Sequence, residues 1–169
     1  MRKDTMVGSA AMIVEWEHNV RKRFPEGLVT FGEMQVANSS RNTIPGQIQW
    51  TIDLRNPNDA ALKDMEVETR KILQTLAEQH DLDISISQHW LSPATYFDKA
   101  CVETVQQAVD TLGYSNQTIV SGAGHDAINI AKHCPTTMIF IPCIDGLSHN
   151  EAEDVYACDA AQGADVLLN

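Results

Sequence analysis

The stretch Gln47-Ile48-Gln49-Trp50-Thr51-Ile52-Asp53-Leu54-Arg55 alternates polar and apolar residues without a break. Side chains of an extended chain point to opposite faces with a period of two, so this pattern predicts a strand with one buried and one solvated face. Such a strand needs a neighbour to pair with and a layer to cover its apolar face. Residues 28–37 supply the neighbour. Their apolar phase slips between Phe31 and Met34, around Gly32, which predicts a β-bulge. Residues 38–42 are polar, and Ile44-Pro45-Gly46 turns into the alternating strand.

Helices on either side supply the cover. Residues 5–24 carry Ala10, Ala11, Ile13 and Val14 on one side and end at Pro25-Glu26-Gly27. Asn58 or Asp59 caps a second helix over about residues 60–80, whose stripe is Leu62, Met65, Thr69, Ile72, Leu73 and Leu76. Alternation returns over residues 82–90, where Leu82, Ile84, Ile86 and Trp90 interleave with polar residues, predicting a third strand. The order helix–strand–strand–helix–strand is that of an α+β sandwich, a ferredoxin-like unit without its first strand.

Ser92-Pro93-Ala94 marks a boundary, dividing the chain into regions 1–92 and 93–169. Beyond it the pattern predicts a helix over 98–112 with Asp98 as cap and Gly113 at its end. A short strand over 117–121 follows, then a helix near 125–133 after Gly122-Ala123-Gly124. A continuous apolar strand covers 136–142 and a last helix roughly 151–168. This half reads as α/β, the tail of a doubly wound sheet. Two strands are too few to bury such a sheet alone, and the expectation is a piece of a longer protein.

The chain has 169 residues and a formal net charge of −11. An acidic surface repels phosphate, which argues against nucleic acid and anionic membranes as partners. No apolar run approaches the roughly 20 residues that cross a bilayer. Cys101, Cys134, Cys143 and Cys158 form no CxxC pair, so neither a disulfide framework nor a zinc ribbon is expected, and a reducing cytoplasm fits best.

Three regions could carry chemistry. Gly146-Leu147-Ser148-His149-Asn150-Glu151 follows the apolar strand, where ligands of α/β sheets bind, and His149 there could ligate a metal. The same residues also read as a polar loop with Ser148 or Asn150 capping the next helix, and one histidine is not a metal site. Ser121-Gly122-Ala123-Gly124-His125-Asp126 is either a glycine turn that lets backbone N–H groups approach a ligand or only a tight turn. Arg55 and Asn42 flank the Ile44-Pro45-Gly46 turn. The guanidinium could hold a carboxylate, or simply pair with Asp53 or Glu33 on the surface, and Asn42 could be a turn former.

Taken in order, Arg2-Lys3-Asp4 opening a helix, Asn42-Thr43-Ile44-Pro45-Gly46, Asp53-Leu54-Arg55, Ser121-Gly122-Ala123-Gly124-His125-Asp126-Ala127 and Ile141-Pro142-Cys143-Ile144-Asp145-Gly146-Leu147-Ser148-His149-Asn150-Glu151 resemble one family. It is the amidase, hydantoinase and carbamoylase branch of the M20-type metallopeptidases, with N-carbamoyl-L-amino acid hydrolases, β-alanine synthases and allantoate amidohydrolases. The resemblance implies a parent enzyme that uses two divalent metal ions, zinc or else manganese, cobalt or nickel, to hydrolyse a carbamoyl C–N bond. It implies His149 as a metal ligand, and Asn42, Arg55, Gly122, Gly124 and His125 as contacts of a small N-carbamoyl amino acid or ureido substrate. Residues 1–92 correspond to a small dimerisation or lid domain, through which a homodimer is expected, and 93–169 to the end of the catalytic domain. The remaining metal ligands and the glutamate base of the family have no counterpart here. No catalytic set is therefore complete in this chain, no stably bound metal is expected, and on its own the chain is expected to be inactive. An allantoate amidohydrolase and a non-catalytic dimerisation module are the competing expectations.

Overall fold

The structure is a computed structural model that describes residues 3–169, so Arg2 of the first family segment lies outside the described residues. The chain divides into two compact units, Met1–Ala94 and Thr95–Asn169.

In the first unit, helix α1 (Thr5–Arg23) starts where the Asp4 carboxylate accepts the Val7 N–H, and its last turn is basic, which complements the negative end of the helix dipole. Strand β1 (Leu28–Val36) pairs antiparallel with β2 (Ile48–Arg55), from Leu28 opposite Arg55 to Val36 opposite Ile48. The register slips between Phe31 and Met34, where the apolar phase of the sequence changes. Helix α2 (Asp59–Gln79) is capped by Asn58, whose side chain accepts the N–H groups of Ala60 and Ala61.

Both helices cover one face of the hairpin. Trp16, Val20 and Met65 form one buried cluster against Phe24, Val29, Phe31, Leu54 and Ile72; Met12, Leu73 and Ala77 form another against Trp50 and Ile52. The one polar atom of Trp16 is satisfied inside this core. Its indole Nε1 donates to the Thr69 hydroxyl at 2.8 Å, and that hydroxyl donates to the Met65 carbonyl at 2.7 Å.

Residues 82–90 do not form the strand their alternation predicts. Leu82 and Ile84 pack on the Met12–Leu73–Ala77 cluster as the pattern requires, but no backbone ladder joins the segment to β1 or β2, and the sheet has two strands among the described residues. Alternation encodes which side chains face the core. A ladder also needs a neighbouring backbone with unpaired groups in reach.

In the second unit, helix α3 (Lys99–Leu112) begins at Asp98, which accepts the Cys101 N–H, and ends at Gly113 in the left-handed conformation. Helix α5 (Ala157–Leu168) packs against α3, with the Tyr114 hydroxyl donating to Asp165 at 3.0 Å. A Cβ on Gly163 would sit 2.6 Å from Ile141 Cγ2, so α5 rests directly on the 136–142 segment. That segment is tied to the start of α3 by the Asp98 N–H to Thr136 carbonyl bond.

Several expectations fail here. Residues 117–121 and 136–142 are extended but unladdered, so the predicted doubly wound sheet is not formed among the described residues. Ile119, Val120 and Phe140 remain exposed. The helix near 125–133 shrinks to α4 (Ala127–Ile130), followed by tight turns closed by Lys132 and His133 N–H groups bonding three residues back. The last helix starts at Ala157 rather than near 151; before it, the Asn150 side chain accepts the Ala152 N–H and the Glu153 carboxylate accepts the His149 N–H in a turn that does not continue into a helix.

Candidate functional site

The candidate residues fall in both units, and each group is described within its own. In the first unit, Arg55 closes β2 opposite Leu28, about half-exposed. Its guanidinium meets the Asp53 carboxylate through Nε at 3.1 and 3.3 Å and through Nη2 at 2.7 Å. Alternate residues share a strand face, which puts this pair on the polar side of β2. The hydrogen bonds that the Arg55 guanidinium donates to Asp53 raise its pKa above its ordinary value, against a smaller opposing effect of burial, so the cation is fixed.

Asn42 lies in the connection at the other end of the hairpin, beyond the Ala37–Gln47 hydrogen bond. Its Oδ1 accepts the Ser40 hydroxyl at 3.1 Å in a tight turn that an isolated Ser40–Thr43 bridge closes. At about 3.3 Å per residue, β2 alone extends roughly 23 Å. The hairpin therefore separates Asn42 and Arg55 end to end and does not bring them side by side.

In the second unit, the Ser121–Asp126 segment is a turn built on a side-chain pair. Ser121 Oγ lies 2.6 Å from His125 Nε2, and the Ala123 N–H donates to Ser121 Oγ at 3.2 Å. The imidazole also stands edge-on to Phe140, with ring centres 5.5 Å apart. The space a Cβ would take at Gly124 is open, and both Gly122 and Gly124 are exposed.

His149 lies on an exposed loop between a 3-10 turn at Ile144–Gly146 and α5. Its φ is 57°, within a run that also places Asp145 at 56° and Gly146 at 67°. Glu153 holds this loop: one carboxylate oxygen accepts the His149 backbone N–H at 2.8 Å, and the other is 3.8 Å from Cys143 Sγ. The Ile144 N–H to Asp154 carbonyl bond closes the loop at its base.

Among the described residues, no group of three or more His, Cys, Asp or Glu side chains is placed to hold a metal ion. His149 is a single donor, and the residues of this chain do not by themselves fit a metal centre. Ser121 and Glu153 were not legible as partners of His125 and His149. Both pairs are four residues apart, a spacing that signals contact on a helix but not across a turn.

These features belong to a hydrolase of a peptidase family. Residues 4–169 match peptidase family M20/M25/M40, and the chain belongs to that family. It is 42% identical to the N-carbamoyl-L-amino-acid amidohydrolase of Rhizobium meliloti over 94% of this chain and 38% of that protein. It is 29% identical to the allantoate amidohydrolase of Escherichia coli over 98% of this chain and 40% of that one. A crystal structure of a hydantoinase/carbamoylase family amidase from Burkholderia ambifaria superposes with a TM-score of 0.89 at 45% identity, covering 99% of this chain and 40% of that one. The chain thus spans about two-fifths of the length of the relatives it matches.

Proposed function

We propose that this chain is the substrate-holding portion of an amidohydrolase that cleaves the carbamoyl C–N bond of N-carbamoyl-L-amino acids, releasing the amino acid, carbon dioxide and ammonia. The observation that carries this reading is the 42% identity to the Rhizobium meliloti enzyme across nearly the whole chain, against 29% to the allantoate amidohydrolase.

Arg55 is the group for the amino-acid carboxylate. A guanidinium presents a rigid fork of donors to a carboxylate, and Asp53 keeps that fork oriented on the polar face of β2. Asn42 is a second polar candidate in the hairpin connection, but at the opposite end of the hairpin it does not share one small ligand with Arg55 of the same chain. Gly122 and Gly124 let the ligand approach the backbone, as the open space at Gly124 allows, and His125 offers a ring nitrogen beside them. His149 would contribute one ligand to the divalent ions that the family resemblance implies, and the chemistry argued from the residues of this chain stops at binding and orientation.

In this reading the first unit is a ferredoxin-like lid and dimerisation domain, homodimeric through residues 1–92. The second is the end of a doubly wound catalytic domain, in a cytoplasmic enzyme. All four cysteines are free, which suits a reducing compartment. No helix among the described residues is long and apolar enough to cross a membrane.

The test is a chimera in which this chain replaces the matching region of the Rhizobium meliloti enzyme. The chimera is expected to release amino acid from N-carbamoyl-L-amino acids, and the isolated chain is not. A folded, metal-loaded chimera without that activity contradicts the proposal.

A further inference from the structure

Ser121 Oγ and His125 Nε2 lie 2.6 Å apart, and the hydrolase reading assigns Ser121 nothing. The donor and acceptor inventory of the pair is small. Ser121 Oγ already accepts the Ala123 N–H, and His125 Nε2 lies 2.6 Å from the same oxygen, close enough to accept the hydroxyl proton. A neutral imidazole has one donor and one acceptor nitrogen, so a hydroxyl that donates to Nε2 places the ring proton on Nδ1. The ring has one further aromatic neighbour and a tethered backbone. Phe140 stands edge-on to it, and the His125 carbonyl accepts the Ile128 N–H at the start of α4, which fixes the backbone that carries the ring.

We infer that Ser121 is a positioning residue, which holds His125 as the Nδ1–H tautomer so that the turn presents a hydrogen-bond donor to a carbonyl or carboxylate oxygen of the ligand. The ligand half of this inference rests on the proposed substrate-holding role of the segment; the tautomer half does not. A ring held this way is set before the ligand arrives, so the ligand does not have to select one tautomer from a mixture. The opposite tautomer would offer only an acceptor at Nδ1 and would repel the same oxygen.

Nitrogen-15 correlation spectra of the histidine side chains, recorded on the chain with the ring neutral, read the tautomer directly. The wild type and Ser121→Thr are expected to show Nδ1 protonated and Nε2 as the bare nitrogen, and Ser121→Ala is expected to lose that preference. Protonation of Nε2 in the wild type, or an unchanged tautomer in Ser121→Ala, overturns the inference. In the chimera, Ser121→Ala is expected to raise KM about two- to tenfold with kcat changed less, the effect of one neutral hydrogen bond, and Ser121→Thr to restore it. An unmoved KM beside a changed tautomer overturns the ligand half. The spectra need no activity, so failure of the hydrolase reading and failure of the tautomer reading are separate results.

Discussion

The Glu153 carboxylate accepts the backbone N–H of His149 at 2.8 Å, at a residue whose φ of 57° lies in the left-handed region. A side chain there is disfavoured, though histidine tolerates it better than most residues. The conformation persists because the loop is held from outside, by Glu153 on the His149 N–H and by the Ile144–Asp154 bond at its base.

Replacing Glu153 by Ala should therefore loosen residues 145–151 without unfolding the second unit. A charge-assisted hydrogen bond on an exposed loop contributes about 1 kcal/mol. Amide exchange at His149 should accelerate about fivefold, while α3 and α5 keep their protection. Glu153→Gln, which retains an acceptor, should lie between the two.

Arg55→Lys in the chimera should raise KM for an N-carbamoyl amino acid by about ten- to a hundredfold, because an ammonium cannot reproduce a two-pronged grip on a carboxylate. Asp53→Asn should raise KM less, since it loosens the guanidinium without removing it. Steady-state kinetics check both, and an unchanged KM in Arg55→Lys removes the residue from this role.

Gly124→Ala separates a ligand-approach role from a turn-forming one. Nothing lies within 4 Å of the added methyl, so the unfolding transition should stay put. If the ligand comes against this backbone, KM should rise while stability does not change. A shifted transition with unchanged KM would mark Gly124 as structural.

Thr69→Val preserves shape but leaves the Trp16 indole N–H unpaired in the core. The cost should be about 1–3 kcal/mol in urea unfolding of the first unit. Trp16 fluorescence gives the readout beside Trp50 and Trp90 held as Phe.

Asp98 gives the second unit an acid-sensitive element. Accepting the Cys101 N–H holds its carboxyl below the ordinary value of 3.8. A depressed carboxyl contributes stability above its unfolded value and loses it as pH falls through its folded value. The helical signal of α3 should therefore weaken on acidification below the ordinary carboxylate range, and Asp98→Asn should flatten that dependence. A variant that titrates like the wild type would contradict this.

The parts of the fold that were legible in the sequence are those fixed by local chemistry. Gln47–Arg55 alternates, and Ile48–Arg55 of it is a strand with Ile48, Trp50, Ile52 and Leu54 half-buried; the phase slip at Gly32 is a real bulge; Asp98 and Gly113 bound α3. The apolar patterns of residues 82–90, 117–121 and 136–142 also predict strands, yet these segments have no ladder. The pattern reports which way Leu82 and Ile84 face and says nothing of whether a backbone lies alongside. Of the candidate site, His125 and His149 could be named from their loops, but Ser121 and Glu153 could not, since both act across turns whose geometry depends on the whole loop. The separation of Asn42 from Arg55 was likewise hidden, because thirteen residues in sequence can close a turn or span a hairpin.

The most direct measurement is the ratio of kcat/KM for an N-carbamoyl-L-amino acid to that for allantoate, taken on the chimera with the Rhizobium meliloti enzyme and compared with a matched chimera carrying the corresponding region of the Escherichia coli allantoate amidohydrolase. The account predicts that this chain keeps the ratio well above one and above that of the matched chimera. A preference for allantoate conferred by this chain would contradict it.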